Sequence, residues 1–512
     1  MMAAKRYEAE MTSLRELLAG VVNVDVDVCI SMMTLDARSV ESDGLFCAVN
    51  GSRAHGLQYA DQAIRHGVSA IIYDPAGGGL LLAEKYNKRS DVVMVAIVNL
   101  ASQLSELAAR FYQRPANKLS VIGITGTNGK TSVSHYIAEA MQERQRCAMI
   151  GTLGWGFLGE LIKTDNTTPD AISVQAQLAS AGHAGAKVVA MEVSSHGLQQ
   201  ARVATVAFNG AVFTNLTHDH LDYHGSMEAY GAAKLALFEN QSLTYAVINL
   251  DDEFSAKILS VLSPSVRVYG YSRVPHLNAD VDVLMCVENE LNDIDGLSFQ
   301  LNLLGRLASV KASLFGDFNV DNVVATMAVL LAEGWSLTDA ADAVQSISNV
   351  PGRMECVVID DALPMVIVDF AHTPDALASV LKTVRQHCGG SLSVVFGCGG
   401  NRDRSKRALM GNVAADYADS IIITTDNPRD ESAEEIAQHI LGGVKDQSST
   451  SIVLDRAEAI SQAINDASIG DIVVVAGKGH EDYQLIGGKT LRFSDVEVVR
   501  AALERRLQQE AR

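Results

Sequence analysis

The sequence predicts an α/β protein of about three domains. Its 512 residues are too many for a single hydrophobic core. Aromatic residues make up only 5% of the chain while Ala and Val are abundant, which favours helices packed on parallel strands over an all-β sandwich. Short apolar runs also alternate with helical patterns along the chain. We therefore expect parallel sheets covered by helices.

Composition excludes several classes of partner. The formal net charge is −20, which argues against nucleic-acid backbones as ligands, since these need a basic face. The seven cysteines are scattered and form no C-x-x-C, a pattern typical of reduced thiols in a cytosol. The first residues lack a long apolar segment, and no apolar run reaches membrane-spanning length. We expect a cytoplasmic protein that binds neither nucleic acid nor a membrane.

Residues 1–117 are predicted to form the first domain. Strands are expected at 45–49, 70–73 and 91–98, and helices at 59–66 and 104–111. The polar, glycine-flanked loop 51–56 directly follows a strand, and a surface loop or a ligand-binding loop are both consistent with it. The segment 114–117, RPAN, is typical of a linker.

The middle domain, 118–349, opens with LSVIGITGTNGKTS, which predicts a phosphate-binding loop between a buried strand and a helix. Backbone N–H groups and the helix dipole would face the anion, Lys130 would add a charge, and the Thr131 hydroxyl could bind Mg²⁺. Ile124 stands where G-x-x-x-x-G-K-[ST] has its first glycine, so Gly126 and Gly129 would supply the backbone freedom. An ordinary glycine turn is the alternative.

Two further segments of this domain carry candidate metal ligands. The strand 187–193 places Glu192 at its carboxyl end, where it could bind the nucleotide's metal or be a structurally paired carboxylate. The loop 215–224 contains three histidines together with Asp219 and Asp222. Its spacing matches no zinc motif, so roles beside a magnesium site are preferred.

Three other residues of the domain remain open on their own evidence. Lys234 stands among small apolar residues of a predicted helix, which is typical of a surface lysine with a buried stem. Asn319 and Asn322 lie on adjacent turns of a helix start. They could face one pocket, or either could cap the helix.

Residues 350–512 are predicted to form a third domain of alternating strands and helices. Strands are expected at 365–369, 392–396, 420–424, 452–454 and 471–476, each followed by a polar loop. Loops at the same end of a parallel sheet converge, which would gather Arg402, Asp426, Arg429 and Glu481. Two cations with two anions suit a zwitterionic ligand. A surface ion-pair network is the alternative.

Ten motifs together resemble a known family. In chain order they are TGTNGKTS, MEVSSHGL, FTNLTHDHLDYHG, AAK, FNVDN, PGRME, VDFAHTPDAL, FGCGGNRDRSKR, DNPR and GKGHEDYQ. This is the order found in the Mur ligases, which the chain resembles over nearly its whole length. TGTNGKT is shared with folylpolyglutamate synthases, whereas DNPR combined with GKGHEDYQ is much more specific.

The resemblance implies an N-terminal domain for the UDP end of the substrate, a central P-loop ATPase domain with a parallel sheet, and a C-terminal Rossmann-like domain for the amino acid. It implies an ATP-dependent ligase that uses Mg²⁺ and adds meso-2,6-diaminopimelate to UDP-N-acetylmuramoyl-L-alanyl-D-glutamate, in peptidoglycan precursor synthesis, as a monomer. Family members that add lysine lack the arginine of DNPR, so the amino-acid assignment depends on Arg429.

The resemblance also implies roles for individual residues. ATP would be bound by Gly126, Thr127, Asn128, Gly129, Lys130, Thr131, Ser132, Asn319, Arg353, Asp369 and His372. UDP-MurNAc-dipeptide would be bound by Leu35, Ala37, Asn166, Thr167, Thr168, Ser194, Gln200 and Arg202. Diaminopimelate would be bound by Arg402, Asp426, Asn427, Pro428, Arg429, Gly477 and Glu481. Mg²⁺ would be bound by Thr131, Glu192, His220 and Lys234, the last as a carbamate, and Lys130, Lys234, His220 and Glu192 would be the catalytic set.

The chain departs from the family pattern at three places. Ala37 stands where the family usually has a serine, so only backbone contacts from Leu35 and Ala37 are expected there. Residues 52–54 read Ser-Arg-Ala where a histidine often begins the triplet, and Asn401 replaces a common aspartate.

Two rival functions are weaker. A folylpolyglutamate synthase is not expected to carry the N-terminal domain or DNPR. A non-enzymatic nucleotide-binding switch would leave the polar loops of the third domain without a purpose.

Overall fold

The computed structural model describes residues 7, 9–51, 54–86, 92–164, 166–274, 277, 279–293, 296–360 and 362–510. The chain divides into two compact units. The first comprises residues 1–287, 302–306 and 322–343, and the second comprises 288–301, 307–321 and 344–512. Both are built from parallel sheets and helices, which confirms the predicted α/β class.

The first unit begins with a four-stranded parallel sheet. Its strands follow chain order, since β3 (Met32–Thr34), β4 (Gly44–Ala48), β5 (Ala70–Tyr73) and β6 (Val93–Ala96) are neighbours in that order. A short antiparallel pair, β1 (Thr12–Ser13) and β2 (Cys29–Ile30), precedes it. The helices are α1 (Leu14–Leu17), α2 (Ala60–Arg65), α3 (Gly79–Ala83) and α4 (Leu100–Phe111), with 3₁₀ turns at Gly56–Tyr59 and Pro115–Lys118.

A larger sheet forms the rest of the first unit. Its strands are β7 (Ser120–Thr125), β8 (Cys147–Gly151), β9 (Gly154–Gly156), β10 (Val188–Glu192), β11 (Gly210–Phe213), β12 (Tyr245–Asn249), β13 (Arg267–Ser272) and the start of β14 (Val283–Asp293). They are arranged β14-β13-β12-β11-β7-β10-β8-β9, and all neighbours are parallel except the β8–β9 pair. The central position of β7 places its carboxyl end, and the loop after it, between the ends of β10 and β11.

Helices cover this sheet on both faces. They are α5 (Lys130–Met141), α6 (Ala171–His183), α7 (Ser195–Gln199), α8 (Leu221–His224), α9 (Met227–Phe238) and α10 (Ser255–Val261). The five residues of β10 are all buried, as expected for a strand covered on both sides. Two later helices, α11 (Phe318–Ala332) and α12 (Leu337–Gln345), each have residues in both units.

The second unit contains the end of β14 with most of β15 (Gly296–Leu303) and most of β16 (Arg306–Ala312), and then a six-stranded sheet. The sheet order is β17-β18-β22-β19-β20-β21, with β17 antiparallel and the others parallel. Its strands are β17 (Glu355–Val357), β18 (Met365–Asp369), β19 (Leu392–Phe396), β20 (Ser420–Ile423), β21 (Thr450–Ile452) and β22 (Ile472–Ala476). The helices are α13 (Pro374–His387), α14 (Ser405–Tyr417), α15 (Ala433–Leu441), α16 (Arg456–Asp466) and α17 (Asp495–Glu510), and a hairpin of β23 (Tyr483–Ile486) and β24 (Lys489–Arg492) follows β22.

Alternate residues of the six-stranded sheet enter two separate cores. Val394 and Val474 pack on one face, and Val395 and Val473 on the other. This explains why the predicted strands read as continuous apolar runs. Among the described residues, none of the helices is both long and apolar enough to span a bilayer.

Candidate functional site

In the first unit, the loop from Gly126 to Gly129 connects β7 to the N-terminus of α5. Gly129 has φ +86°, and a Cβ there would lie 2.6 Å from Asn322 Oδ1. A Cβ on Gly126 would overlap Thr214 Oγ1 at the end of β11. Both positions therefore require glycine, whereas Ile124 is a fully buried strand residue and needs no backbone freedom.

Lys130 folds back over this loop. Its Nζ donates to the carbonyl oxygens of Gly126 at 2.7 Å and Thr127 at 2.8 Å. The loop is also anchored to the segment after β11, because Asn128 N donates to Asn215 Oδ1 at 2.9 Å. A lysine, a glycine turn and the first N–H groups of a 12-residue helix form a cradle that suits a phosphate group.

Glu192 lies beside the cradle and is fully buried. One of its oxygens accepts from Thr131 Oγ1 at 2.9 Å and Thr152 Oγ1 at 3.1 Å, and the other accepts from Thr152 N at 2.8 Å. A carboxylate next to the loop threonine is the oxygen donor set that Mg²⁺ prefers when phosphates complete its coordination. The residues present therefore fit a magnesium ion.

Lys234 is not a surface lysine, so the sequence-based interpretation of its surroundings was wrong. It is 1% exposed, and its Nζ lies 4.5 Å from the centroid of the Tyr230 ring. The helix α9 turns both residues toward the cradle, where Tyr230 Oη is 3.1 Å from Thr127 Oγ1. Burial lowers the pKa of Lys234 well below its usual value, and nearby Lys130 lowers it further. Small neighbours on a helix do not distinguish a buried lysine from an exposed one, and only the family resemblance indicated its role.

The histidine-rich loop places His220 near the same region. Its ring centroid is 4.9 Å from that of His196 and 5.9 Å from that of Tyr230. His224 Nε2 lies 2.9 Å from Ser195 Oγ, and the side chain of Asp222 is outside the described part of the chain. Within the described ranges, no three side chains of His, Cys, Asp or Glu are grouped as metal ligands. A metal bound here would therefore take ligands from substrate oxygens as well as from the protein.

The residues expected to bind the UDP substrate cluster in part. Thr168 Oγ1 donates to Glu192 O at 2.9 Å and accepts from Ser194 N at 2.9 Å, and Arg202 Nε donates to Gln200 Oε1 at 3.0 Å. Thr167 joins them, with Oγ1 3.0 Å from Thr152 Oγ1, and exposed Asn166 precedes it. These side chains surround the carboxyl end of β10.

Leu35 and Ala37 follow β3, in the other sheet of this unit. Ala37 is 5% exposed and packs in an apolar cluster with Phe46. Ser52 and Arg53 lie outside the described residues.

Four residues expected near the nucleotide lie in the second unit. Buried Asp369 ends β18 and accepts from Met354 N and Ala371 N, both at 2.7 Å, and burial raises the pKa of its carboxyl. The Arg353 guanidinium lies 4.7 Å from the Phe370 ring centroid, and His372 Nδ1 is 2.9 Å from Phe370 O. Asn319 Nδ2 donates to Phe315 O at 2.6 Å, while Asn322 belongs to the first unit beside Gly129.

The polar loops after β19, β20 and β22 do converge. Gly400 N donates to Asn427 O at 2.9 Å, which joins the first two loops. A Cβ on Gly477 would lie 2.9 Å from Asp426 Oδ2, which joins the second and third. Arg402 and Arg429 flank Gly399, since a Cβ there would lie 3.7 Å from Arg402 Cγ and 2.9 Å from Arg429 Nη1. Pro428, the residue before Arg429, is buried.

The two acids of this pocket do not pair with its arginines among the described residues. Lys478, which is fully buried, lies between them instead, with Nζ 2.8 Å from Glu481 Oε2 and 3.9 Å from Asp426 Oδ1. The sequence pattern did not single out this lysine, although its place in GKGHE after a predicted strand was a signal. Arg429 Nη1 donates to Gly400 O at 2.8 Å. Cationic and anionic groups thus line one pocket, as a zwitterion requires.

A second buried cation, Arg456, lies at the end of β22 and is paired with a buried carboxylate. Arg456 and Asp495 are both fully buried and form two hydrogen bonds of 2.7 Å, and Arg456 Nη2 also donates to Ala476 O at 2.9 Å. This pair joins the starts of α16 and α17 to the end of β22. Nothing in the sequence pattern had indicated it.

Comparisons with known proteins agree along the chain. Three family models match: "Mur ligase family, catalytic domain" over residues 29–112, "Mur ligase middle domain" over 124–330, and "Mur ligase, glutamate ligase domain" over 352–479. A Coxiella burnetii protein named UDP-N-acetylmuramoyl-L-alanyl-D-glutamate--2,6-diaminopimelate ligase is 42% identical, covering 93% of this chain and 96% of its own. A Pseudomonas putida protein of the same name is 43% identical, covering 93% and 95%. A solved structure of a ligase with that name has a TM-score of 0.66 and 34% identity, covering 97% of this chain and 100% of that one.

Proposed function

This chain belongs to the Mur ligase family, and we propose that it is the ATP-dependent ligase that adds meso-2,6-diaminopimelate to UDP-N-acetylmuramoyl-L-alanyl-D-glutamate. The observation that supports the amino-acid assignment is the pocket after β19, β20 and β22, where two arginines flank Gly399 and two carboxylates flank Lys478. Diaminopimelate carries a zwitterionic centre at its far end, and both charges find partners there.

ATP is bound by the cradle between β7 and α5. Lys130 exchanges the loop carbonyls for the β- and γ-phosphates, and the first N–H groups of α5 point at the same oxygens. Thr131, Glu192, His220 and a carbamylated Lys234 hold Mg²⁺, which neutralises phosphate charge when it is bound. Asn319, Arg353, Asp369 and His372, which belong to the second unit, are also proposed as nucleotide-binding residues.

The reaction has two steps. A side-chain carboxylate of the bound dipeptide attacks the γ-phosphorus in line, which forms an acyl phosphate and releases ADP. The amine of diaminopimelate, oriented by Arg402, Arg429, Asp426 and Glu481, attacks the acyl carbon and expels phosphate as the amide forms. The UDP substrate is held by the Thr168 and Arg202 cluster and by the backbone at Leu35 and Ala37. Exclusion of water protects the acyl phosphate.

We further propose domain boundaries near residues 117 and 349, a cytoplasmic location, a monomer, and a role in peptidoglycan precursor synthesis. The ranges of the three family models lie within the three proposed domains. The formal net charge of −20 suits a protein whose ligands are small molecules and not nucleic acids.

Phosphate release from ATP tests the function. We expect release only when UDP-MurNAc-dipeptide and meso-diaminopimelate are both present, and much less with lysine in place of diaminopimelate. Release with a folate and glutamate would support a folylpolyglutamate synthase instead. Nucleotide binding without release under any combination would leave only a switch, and would overturn the ligase.

A further inference from the structure

We propose that Lys478 is a positioning residue for amino-acid selection, which lies between the two acids of the pocket and holds Glu481 in place for the ligand. The inference rests on the proposed function, because it concerns how the same pocket recognises diaminopimelate. Lys478 follows β22 between Gly477 and Gly479, whose φ angles are +113° and +52°. Its side chain therefore turns inward from a sharp bend.

The contacts of Lys478 all lie within the pocket. Its Nζ donates to Glu481 Oε2 at 2.8 Å and to Asn427 Oδ1 at 3.4 Å, and lies 5.5 Å from the Tyr483 ring centroid. Asn427 Nδ2 donates to the same Glu481 oxygen at 2.8 Å. Lysine and asparagine together fix Oε2. Among the hydrogen bonds of the described residues, Glu481 Oε1 receives none, which leaves that oxygen for a ligand.

Charge explains why a lysine is needed at this position. Asp426 is 6% exposed and faces Glu481, and two carboxylates brought together in a buried site repel each other. Burial raises the pKa of Asp426, and Glu481 and Asp495 raise it further, whereas Arg456 and Lys478 lower it. Arg456 is already committed to Asp495. Lys478 is therefore the cation that lies against both pocket acids.

The position of Lys478 also decides which charged side chains of the pocket remain available to a ligand. The pocket holds three cations, Arg402, Arg429 and Lys478, and two acids, Asp426 and Glu481, and Lys478 lies against both acids. Because Lys478 pairs with the acids, the two arginines remain for a ligand carboxylate and Glu481 Oε1 remains for a ligand ammonium. The side chain of a lysine ligand ends in an ammonium without a carboxylate, so it would leave Arg429 without an anionic partner from the ligand. The buried cation thus makes the pocket selective for a zwitterion and not simply for a cation.

The test is a double-mutant cycle with K478M, which keeps the side-chain length and removes the charge, and E481Q. For each protein, KM and kcat are measured for diaminopimelate and for ATP, with unfolding followed by circular dichroism. We expect K478M to raise the KM for diaminopimelate at least about 10-fold, with the KM for ATP nearly unchanged. In the E481Q background, K478M should raise the KM for diaminopimelate much less, because Lys478 acts through Glu481.

The pH profile supplies a readout that a purely structural role would not change. Without Lys478 the pKa of Asp426 rises, so the acid limb of kcat/KM for diaminopimelate should move to higher pH. K478Q is made in parallel, since its amide can still donate to Glu481, and it keeps the test decisive if K478M does not fold. A folded variant with unchanged KM and pH profile, or with additive effects in the cycle, would overturn the inference while the function stands. Absence of diaminopimelate-dependent release by the unaltered protein would overturn both.

Discussion

Arg429 has an unusual backbone conformation, and its side chain is held by a hydrogen bond. Its φ is +54°, a left-handed conformation that residues other than glycine rarely adopt. The hairpin after β22 holds it there, because Arg429 N donates to Leu485 O at 2.9 Å and Gly487 N donates to Arg429 O at 2.8 Å. The guanidinium is thereby aimed at Gly400, on the rim of the proposed amino-acid pocket. Strain maintained by two backbone hydrogen bonds is typical of a functional position.

Arg429→Ala should weaken diaminopimelate binding selectively. Loss of charge-assisted hydrogen bonds of about 1.5–3 kcal/mol corresponds to a rise in KM of about 10- to 150-fold. The KM for ATP should stay nearly constant. Arg492→Ala is the matched control, because Arg492 is 80% exposed and pairs only at the surface with Glu497. Equal rises for both substrates would mean that the pocket is assigned wrongly.

Lys234 should react with CO₂. Its lowered pKa increases the share of neutral amine, which is the form that adds to CO₂, and protonation at lower pH reverses the reaction. Dialysis against mildly acidic, CO₂-free buffer should therefore reduce activity several-fold, and bicarbonate at neutral pH should restore it. K234M should be inactive under both conditions. NMR with isotope-labelled bicarbonate should show a carbamate carbon in the unaltered protein, and a missing signal with full activity would refute the modification.

At the scale of elements, β7, its loop and α5 act as one device. The strand is central in its sheet, so the loop emerges between β10 and β11, whose ends supply Glu192 and Thr214. The helix α9 adds Tyr230 and Lys234 from one side. These contacts to the cradle therefore come from the carboxyl ends of parallel strands and from a helix packed beside them.

Gly129→Ala should impair the use of ATP at the loop between β7 and α5. The new Cβ would lie 2.6 Å from Asn322 Oδ1 and would force the loop to move, and a displacement of about 1 Å can lower the rate about 100-fold. We expect kcat/KM for ATP to fall about 10- to 100-fold. Gly334→Ala is the control, because φ there is +89° but nothing lies within 4 Å of a Cβ. If both variants behave alike, backbone strain and not crowding limits the loop.

At the scale of the whole molecule, a destabilising substitution in one unit should lower the stability of that unit and leave the other unit unchanged. Arg456 and Asp495 are a fully buried pair of the second unit, and breaking such a pair costs about 3–5 kcal/mol. Arg456→Met should therefore lower the stability of the second unit. The exposed pair of Arg38 and Asp36 supplies the comparison, since removing it should cost less than about 1 kcal/mol.

Hydrogen exchange locates the effect of Arg456→Met. Exchange should accelerate in β18 and β22, which belong to the second unit, and remain unchanged in β7. Urea unfolding should show the loss of stability in the corresponding transition. Acceleration in β7 as well would mean that the two units unfold as one cooperative body.

The sequence alone determined the α/β class, the phosphate loop, and the strands at 392–396 and 420–424. These features depend on local patterns, since apolar runs and glycine spacing act over a few residues. The strand-end rule also brought Arg402, Asp426, Arg429 and Glu481 into one pocket without knowledge of their contacts.

Only the tertiary structure decided which charged residues are buried. Lys234 is enclosed by packing between α9 and the cradle, Lys478 meets Asn427 from 51 positions away, and Arg456 meets Asp495 from 39 positions away. Burial of a charge depends on partners distant in sequence, because desolvation is tolerated only where opposite charges or hydrogen bonds replace water. A local sequence pattern does not show which distant residues will come into contact. The glycine loop between β7 and α5 could therefore be predicted from the sequence, whereas the burial of Lys234 and Lys478 could not.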